Sequence, residues 1–133
     1  MINDYRKTKT TVSFINYHFV FCPRYRRKIF LNTKVEKRFK ALVQEVCNEL
    51  DIAIIAMACD KDHVHLCVHT LPTLSPADTM AKIKGVTSKR LREEFLHLAH
   101  LPSLWTRSYF VSTAGNVSSE TIKQYVESQK TRG

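Results

Sequence analysis

Hydrophobic and polar residues recur along the chain with the periods of strands and helices, and four stretches predict strands. Thr11 to Phe21 is rich in aromatic and β-branched residues, which is typical of a strand. Ile52 to Cys59 is almost wholly apolar, so we expect a strand that is covered on at least one face. Asp62 to His69 alternates between polar and hydrophobic residues and predicts the third strand. Tyr109 to Thr113 predicts the fourth.

Helical periodicity predicts three helices. Asn32 is the expected N-cap of the first, which ends near Asp51. Ser75, followed by proline, begins a second helix that extends to about Phe95. Ser118 is expected to cap the last helix, which ends at about Lys130. The residues expected to face inward are Val35, Phe39, Leu42, Val43, Val46 and Leu50 in the first helix, and Met80, Ile83, Thr87, Leu91 and Phe95 in the second.

The resulting order is β-α-β-β-α-β followed by one further helix, which is the order of the split β-α-β fold. We therefore predict an α+β, ferredoxin-like antiparallel sheet with two helices on one face, in which the first and third strands are central. A length of 133 residues suits one domain. We assign residues 1–133 to a single domain with a core at about 11–113, a hinge at 114–117 and the last helix at about 118–130.

Composition narrows the class of protein. Hydrophobic residues make up 44% and charged residues 25%, which excludes a disordered or collagen-like chain. No apolar stretch approaches the roughly 18 residues of a membrane span, and the N-terminal residues lack the apolar segment of a secretory signal. We therefore expect a cytoplasmic protein. Its four cysteines form no CxxC pair and are interpreted as small buried apolar residues, namely Cys22, Cys47, Cys59 and Cys67.

Charge is the first indication of a partner. The formal net charge is +9, and it is unevenly distributed along the chain. Residues 1–40 contain eleven basic and two acidic residues, residues 41–80 one and six, and residues 81–133 nine and four. A segregated basic field attracts a polyanion, most commonly nucleic acid, although positive charge also serves solubility.

Two histidines on the third strand are the candidate metal ligands. His63 and His65 are two residues apart, so their side chains leave the same face of a strand, about 6–7 Å apart. Val64, Leu66 and Val68 then face the two covering helices. The histidine face is left for another element, and two imidazoles at this spacing are able to converge on one metal ion.

The last helix is the expected cover of the histidine face. It has about a dozen residues and is too short to be stable alone in water, so it must dock on the rest of the protein. Ile122, Tyr125, Val126 and Gln129 recur on one side of it. Ile122 and Val126 would anchor the helix, while Tyr125 and Gln129 present polar groups on or near the docking face.

These residues resemble a known family, the single-tyrosine HUH transposases of small insertion sequences that move as single-stranded DNA, the IS200-like transposases. The matching stretches are CPRYRRKIF (22–30), DKDHVHLCVH (60–69), LWTRSYFVSTAG (104–115) and TIKQYVESQ (121–129). They cover nearly the whole chain in the family's order, and the predicted fold is the family's fold. The REP-associated tyrosine transposases are near relatives with the same chemistry.

The resemblance implies a role for each matching residue. Tyr125 would be the nucleophile that forms a 5′-phosphotyrosine, and His63, His65 and Gln129 would hold a divalent metal ion, Mg²⁺ or Mn²⁺. The family cuts and rejoins DNA without ATP and acts as a homodimer, whose tyrosine helices can be exchanged between subunits. Gly115, between the last strand and the tyrosine helix, is the candidate hinge residue.

The implied substrate is single-stranded DNA with a subterminal hairpin, so the protein would associate with the nucleoid when bound to DNA. A basic loop with one aromatic ring and the basic residues of the second helix are the candidate phosphate contacts. These residues are Arg24, Tyr25, Arg26, Arg27, Lys28, Lys82, Lys84, Lys89 and Arg90.

Two other functions remain open at this point. A ferredoxin-like sheet can bind single-stranded nucleic acid without cutting it. A zinc site is the second alternative, because four potential ligands share one strand face, namely His63, His65, Cys67 and His69. One straight strand cannot wrap four ligands tetrahedrally around one ion. Asp60 and Asp62 flank the strand, but alternation directs Asp62 away from His63, and neither is assigned as a ligand.

Overall fold

The computed structural model describes residues 6–7, 12–113 and 119–129. The strands are β1 (Arg6–Lys7), β2 (Val12–Ser13), β3 (Ile15–Phe21), β4 (Ala53–Cys59), β5 (Val64–Thr70) and β6 (Phe110–Ser112). The helices are α1 (Thr33–Glu49), α2 (Pro76–Glu94) and α3 (Ser119–Ser128). Short 3₁₀ helices lie at Arg24–Arg26, Ile29–Leu31 and Leu96–Leu98.

Four of the strands form one antiparallel sheet in the order β4-β5-β3-β6. β5, which contains His65 and directly follows His63, and β3 are therefore central, as the sequence predicts. The registers place Val20 opposite His65 on one side and opposite Phe110 on the other. Because paired residues of adjacent strands face the same side, these three side chains form a row across one face of the sheet. The predicted α+β fold is confirmed.

Both long helices begin at the predicted caps. The Asn32 side chain accepts hydrogen bonds from the backbone N–H groups of Lys34 and Val35, which otherwise lack a helical partner. Ser75 accepts one from the N–H of Asp78, and Pro76 occupies the first position of α2. α1 ends before Asp51, whose φ of 56° reverses the chain into β4.

The helices α1 and α2 cover one face of the sheet and enclose the main core. Val64, Leu66 and Val68 of β5 point into this core and are completely buried. An aromatic cluster closes the end of the core beside the 3₁₀ helices. The Phe39 ring lies 5.1 Å from the Phe30 ring and 5.5 Å from the Trp105 ring, centre to centre. Packing of this kind fixes the position of β5 and hence of its opposite face.

The first predicted strand is interrupted, since β2 pairs with β1 and the sheet strand β3 begins only after Phe14. β4 is more exposed than its apolar sequence suggests, and among the described residues it is an edge strand that pairs with β5 alone. The hinge predicted at 114–117, including Gly115, and the residues Ser118 and Lys130 lie outside the described residues. No helix in the described ranges is long and apolar enough to cross a membrane.

Candidate active site on the histidine face

His63 and His65 lie side by side on the face of the sheet opposite α1 and α2. Their ring centres are 5.0 Å apart, and the rings are inclined by 71°. His65 belongs to β5, whereas His63 immediately precedes the first residue of that strand. The His18 ring, from the neighbouring strand β3, lies 5.8 Å from the His65 ring. The structure therefore brings together the two predicted ligands and adds a third imidazole beside them.

Asp62 fixes the orientation of His63. Asp62 is 3% exposed, and its carboxylate lies with Oδ1 2.9 Å from His63 Nδ1. A carboxylate only accepts, so Nδ1 carries a proton, and in the neutral form of His63 the lone pair therefore lies on Nε2, where a metal ion could bind. The prediction that Asp62 points away from His63 is wrong. The strand begins only at Val64, so alternation does not extend to residue 62.

Arg26 completes this arrangement from the basic loop. Its Nε and Nη2 atoms donate to Asp62 Oδ2 at 3.1 and 2.8 Å. Burial alone would raise the pKa of Asp62, but hydrogen bonds from His63 and Arg26 and the positive charge of Arg26 hold that pKa below its usual value. Tyr25 and Arg26 both have positive φ, 56° and 51°, a conformation that costs energy for residues other than glycine. The loop is thus held in a strained form that presents Arg26 to Asp62.

The remaining imidazoles are in forms that can bind a metal. Burial lowers the pKa of His65, and the charges of His63 and His18 act in the same direction. Burial also lowers the pKa of His18, whose buried Nε2 has no hydrogen-bond partner among the described residues. Neutral imidazole is the form that binds metal ions. Asp60 lies nearby, with Oδ2 3.8 Å from His63 Nε2. The donor set at His63 and His65 fits a divalent cation.

α3 lies across this face. Val126 packs with Val20 and Cys22 of the sheet, and these three side chains are buried. Phe110, Ile122 and Tyr125 surround them and are half-buried. Ile122 and Val126 are therefore the anchors that the periodicity predicts, and the helix docks on the predicted face.

The polar groups of α3 meet at one serine. Tyr125 lies with its hydroxyl 2.9 Å from Ser108 Oγ. Ser108 Oγ also donates to Gln129 Oε1 at 2.7 Å, and the Gln129 side chain is 2% exposed. The Tyr125 ring lies 6.0 Å from the Phe110 ring of β6. Phe110 is two strand spacings, about 10 Å, from His65 across the sheet.

A cavity of about 400 Å³ separates the histidine pair from the helix. Its walls are Arg26, His63, His65 and, from α3, Ile122, Lys123, Val126 and Glu127. Glu127 Oε2 accepts a bond from Arg26 Nη1 at 3.3 Å across the mouth. The structure thus brings together His63 with His65, and Tyr125 with Gln129, as two pairs on the same face. One helix lies over both.

The predicted phosphate contacts in the basic loop differ in whether their side chains are engaged by other residues of the protein. Tyr25 is 52% exposed, and the Arg27 guanidinium lies 5.4 Å from the centre of its ring. Arg27 and Lys28 line a separate cavity of about 440 Å³. Arg24 lies in the same loop and donates its backbone N–H to Leu104. Arg26, by contrast, is engaged by Asp62 and Glu127.

The basic residues of α2 also differ among themselves. Lys82, Lys89 and Arg90 are exposed beside Glu45 and Glu49 of α1. Lys84 points inward, and its ammonium donates to the carbonyl oxygens of Thr106 and Ser108 at 2.9 and 2.8 Å. Burial lowers the pKa of Lys84 to about 8. The Lys84 side chain is therefore engaged by the loop before β6.

The four cysteines are free thiols, two of them buried and two half-buried. Cys67 and His69 share the strand face of the histidine pair, and His69 Nδ1 lies 2.7 Å from Asn16 Oδ1. Within the described ranges, no three His, Cys, Asp or Glu side chains are grouped so that they could hold a metal ion. The two histidines would need a ligand of another kind, such as an amide oxygen.

Comparison with known proteins identifies relatives over almost the whole chain. Residues 11–129 match the family model described as "Transposase IS200 like". The transposase for insertion sequence element IS200 of Salmonella typhimurium is 30% identical over 116 residues, which are 85% of this chain and 75% of that protein. The ISDra2 transposase TnpA of Deinococcus radiodurans is 25% identical over 129 residues, 95% and 91% of the two chains.

Solved structures agree with this match. A crystal structure from Deinococcus radiodurans R1, described as that of a candidate transposase, superposes with a TM-score of 0.84 at 26% identity. It covers 93% of this chain and 97% of its own. A REP-associated tyrosine transposase bound to a REP hairpin has a TM-score of 0.59 at 16% identity, covering 95% of this chain and 69% of its own, and shares the fold.

Proposed function

Because this chain belongs to the IS200-like transposase family, we propose that it cleaves and rejoins single-stranded DNA at insertion-sequence ends through a 5′-phosphotyrosine. The observation that carries this proposal is the placement of α3. A helix bearing Tyr125 and Gln129 docks on the same sheet face as His63 and His65, although the opposite face holds the main core. A phenol and a pair of imidazoles on one face are the groups that this chemistry requires.

Tyr125 is the proposed nucleophile. Its oxygen attacks the phosphorus of a DNA phosphodiester, the bond to the 3′ oxygen breaks, and that oxygen leaves as a 3′-OH after taking up a proton. The phosphate remains bound to the tyrosine as a 5′-phosphotyrosine. The 3′-OH of another strand later attacks the same phosphorus and releases the phenol. One phosphoester is exchanged for another, so neither ATP nor water is consumed.

His63 and His65, joined by Gln129, are the residues that would hold Mg²⁺ or Mn²⁺. Such an ion, when bound, polarises the phosphate and stabilises the charge that grows on its oxygens. Imidazole and amide ligands are neutral and leave the ion most of its positive charge. Asp62 contributes by keeping the His63 proton on Nδ1, and Arg26 keeps Asp62 ionised at that position.

A homodimer is the proposed working form, since excision requires two strand ends and each subunit has one such tyrosine. The edge strand β4 supports this proposal. Its sequence is apolar throughout, and Ile55, at a register irregularity between Ile54 and Ala56, is 56% exposed. An exposed apolar edge strand is a site for pairing with another chain. Exchange of tyrosine helices between the subunits would bring Tyr125 to the partner's histidines.

A DNA hairpin is the proposed recognition element. The related REP-associated transposase is bound to a hairpin, and the basic loop of this chain offers an exposed ring at Tyr25 beside Arg27 and Lys28. Stacking on Tyr25 and phosphate contacts to the two basic residues would suit a nucleic-acid strand. The affinity is therefore expected to fall steeply with salt.

A denaturing gel tests the proposed reaction. The full chain is incubated with Mn²⁺ or Mg²⁺ and single-stranded DNA carrying the palindromes that flank its gene. Wild-type protein is expected to give a covalent protein–DNA adduct, and Tyr125→Phe none. Tyr17→Phe is the matched control, because Tyr17 packs against the opposite face and should leave the adduct unchanged.

The histidines are tested in the same assay. His63→Ala and His65→Ala are expected to reduce the adduct by about 100-fold or more, whereas the exposed His97 should tolerate alanine. DNA that is shifted on a native gel but never becomes attached to wild-type protein would favour a binding module without catalysis. An adduct that persists in Tyr125→Phe would contradict the assignment of the nucleophile.

A further inference from the structure

Ser108, which lies just before β6, contacts both functional groups of α3 with one hydroxyl. The Tyr125 hydroxyl is 2.9 Å from Ser108 Oγ, and Gln129 Oε1 is 2.7 Å from the same atom. We propose that Ser108 is a positioning residue that holds the nucleophile and the amide ligand together in a resting position beside β6, from which both must be released before strand cleavage. This inference rests on the proposed function.

The hydrogen-bond directions follow from the number of protons available. Gln129 Nε2 donates to Ser128 Oγ at 2.9 Å, so the atom facing Ser108 is the amide oxygen, which only accepts. Ser108 has one hydroxyl proton and donates it to Gln129. The bond between Ser108 and Tyr125 must then be donated by the phenol. A phenol that donates this bond keeps its proton.

The contact therefore occupies both atoms that the proposed reaction uses. The phenol oxygen has to lose its proton in order to attack phosphorus, and Gln129 Oε1 has to offer its lone pair to a metal ion. In the arrangement at Ser108 the phenol keeps its proton, one of the two lone pairs of Oε1 is engaged, and neither Tyr125 nor Gln129 lines the cavity beside the histidines. The side of α3 that lines the cavity near the histidines is formed instead by Ile122, Lys123, Val126 and Glu127.

Ser108 is itself held firmly. Lys84 Nζ donates to the Ser108 carbonyl at 2.8 Å, and Thr106 Oγ1 donates to the same oxygen at 3.1 Å. Thr106 is anchored in turn by its N–H, which donates to the Cys22 carbonyl at the end of β3 at 3.0 Å. The loop is thus attached to both α2 and the sheet. α3 has ten residues and is too short to be stable undocked, so it is the element expected to move when the contact breaks.

Limited proteolysis tests the holding role without DNA. Trypsin cleaves after the exposed Lys123 only when α3 undocks and unfolds, so the cleavage rate measures how firmly the helix is held. Ser108→Ala removes both bonds and is expected to accelerate this cleavage roughly tenfold. Ser108→Thr retains the hydroxyl and should behave as wild type. Ser103→Ala is the matched control, because Ser103 donates to Trp105 O in the same segment. Unchanged cleavage in Ser108→Ala would overturn the proposal.

The initial rate of adduct formation tests the resting role. Ser108→Ala is expected to form the Tyr125–DNA adduct several-fold faster than wild type, with Ser108→Thr and Ser103→Ala unchanged. A slower adduct in Ser108→Ala, despite faster proteolysis, would overturn the proposal, because Ser108 would then support the productive position. If no protein forms an adduct while Ser108→Ala still accelerates proteolysis, the proposed function is refuted and the holding role of Ser108 is supported.

Discussion

The two faces of the sheet are built differently, although one strand contributes to both. On the face covered by α1 and α2, β5 buries Val64, Leu66 and Val68 in a continuous apolar core. On the other face lie His65 of the same strand and His63, which directly precedes it, and α3 covers part of this surface. The apolar cluster beneath that helix is small, and polar groups surround it. The residues that stabilise the fold therefore lie mainly on the first face, and the residues of the proposed active site lie on the second.

The difference in buried apolar surface between the two faces suggests that α3 can undock separately from the rest of the fold. Loss of the α1–α2 layer would expose most of the core, so those helices cannot detach while the protein stays folded. Loss of α3 would expose only a small cluster and a few hydrogen bonds. We therefore expect α3, which carries the proposed nucleophile, to be able to leave and return without unfolding the domain, as an exchange of tyrosine helices would require.

The largest expected effect on stability comes from removing a side chain of the core between the sheet and the helices α1 and α2. Phe39→Ala would remove a completely buried ring that packs against Phe21, Phe30 and Trp105. We expect a loss of about 3–5 kcal/mol in the free energy of unfolding, measured with denaturant. Ile122→Ala on the second face is the comparison, and it should leave the global midpoint almost unchanged. Equal losses in the two variants would show that α3 unfolds only with the domain.

Cysteine labelling compares the faces in the unmodified protein. Burial and, to a lesser extent, the charge of Asp62 raise the pKa of Cys22 to about 12, while burial raises that of Cys47 to about 11. Both thiols are inaccessible in the folded state. Cys22 lies under α3, whereas Cys47 lies in the main core. Maleimide labelling followed by peptide mass spectrometry should modify Cys22 on the order of 100-fold faster. Similar rates would contradict independent undocking of α3.

Most of the fold could be predicted because local rules determine it. Asn32 and Ser75 cap their helices as their positions suggest, and alternation correctly assigns His63 and His65 to one face and Val64 to the other. Periodicity also identifies Val126 as an anchor of α3. These features depend on residues that are near one another in the chain.

The rest of the site depends on contacts between distant residues, which no local pattern reports. His18 reaches His65 through the register of β3 with β5. Arg26 reaches Asp62 across 36 positions of the chain, through a loop with positive φ angles. Ser108 cannot be told from any other loop serine in the sequence, and its contacts with Tyr125 and Gln129 arise only because α3 docks beside it.

The next smaller expected effect is the contribution of Lys84 to the pH dependence of the free energy of unfolding. Its pKa is about 8 in the folded protein, against 10.5 for an ordinary lysine, so the unfolded chain binds more protons between these values. The free energy of unfolding should therefore rise as the pH increases from about 8 to 10.5. The full shift corresponds to about 3 kcal/mol, and partial exposure and two carbonyl bonds reduce this to about 2 kcal/mol.

Denaturant titrations of wild type and Lys84→Met at several pH values isolate the contribution of Lys84 to stability. The difference in the free energy of unfolding between the two proteins should grow in favour of wild type as the pH rises through this window, since the other titrating groups cancel. Parallel pH profiles would mean that Lys84 has an ordinary pKa. The two carbonyl bonds of the ammonium would then offset the effect of burial on that pKa.

The smallest expected effect is also the most local. Val126→Ala would remove two methyl groups from the contact with Val20 and Cys22, which weakens the docking of α3 by about 1–1.5 kcal/mol. Hydrogen exchange should show faster exchange of the α3 amides, by roughly tenfold, with unchanged protection in β5 and α1. Because the anchor and the Ser108 contact act on one helix, Val126→Ala should also speed tryptic cleavage after Lys123. A loss of protection in β5 as well would mean that the two faces unfold as one unit, and a nucleophile carried by α3 would then have no independent motion available to it.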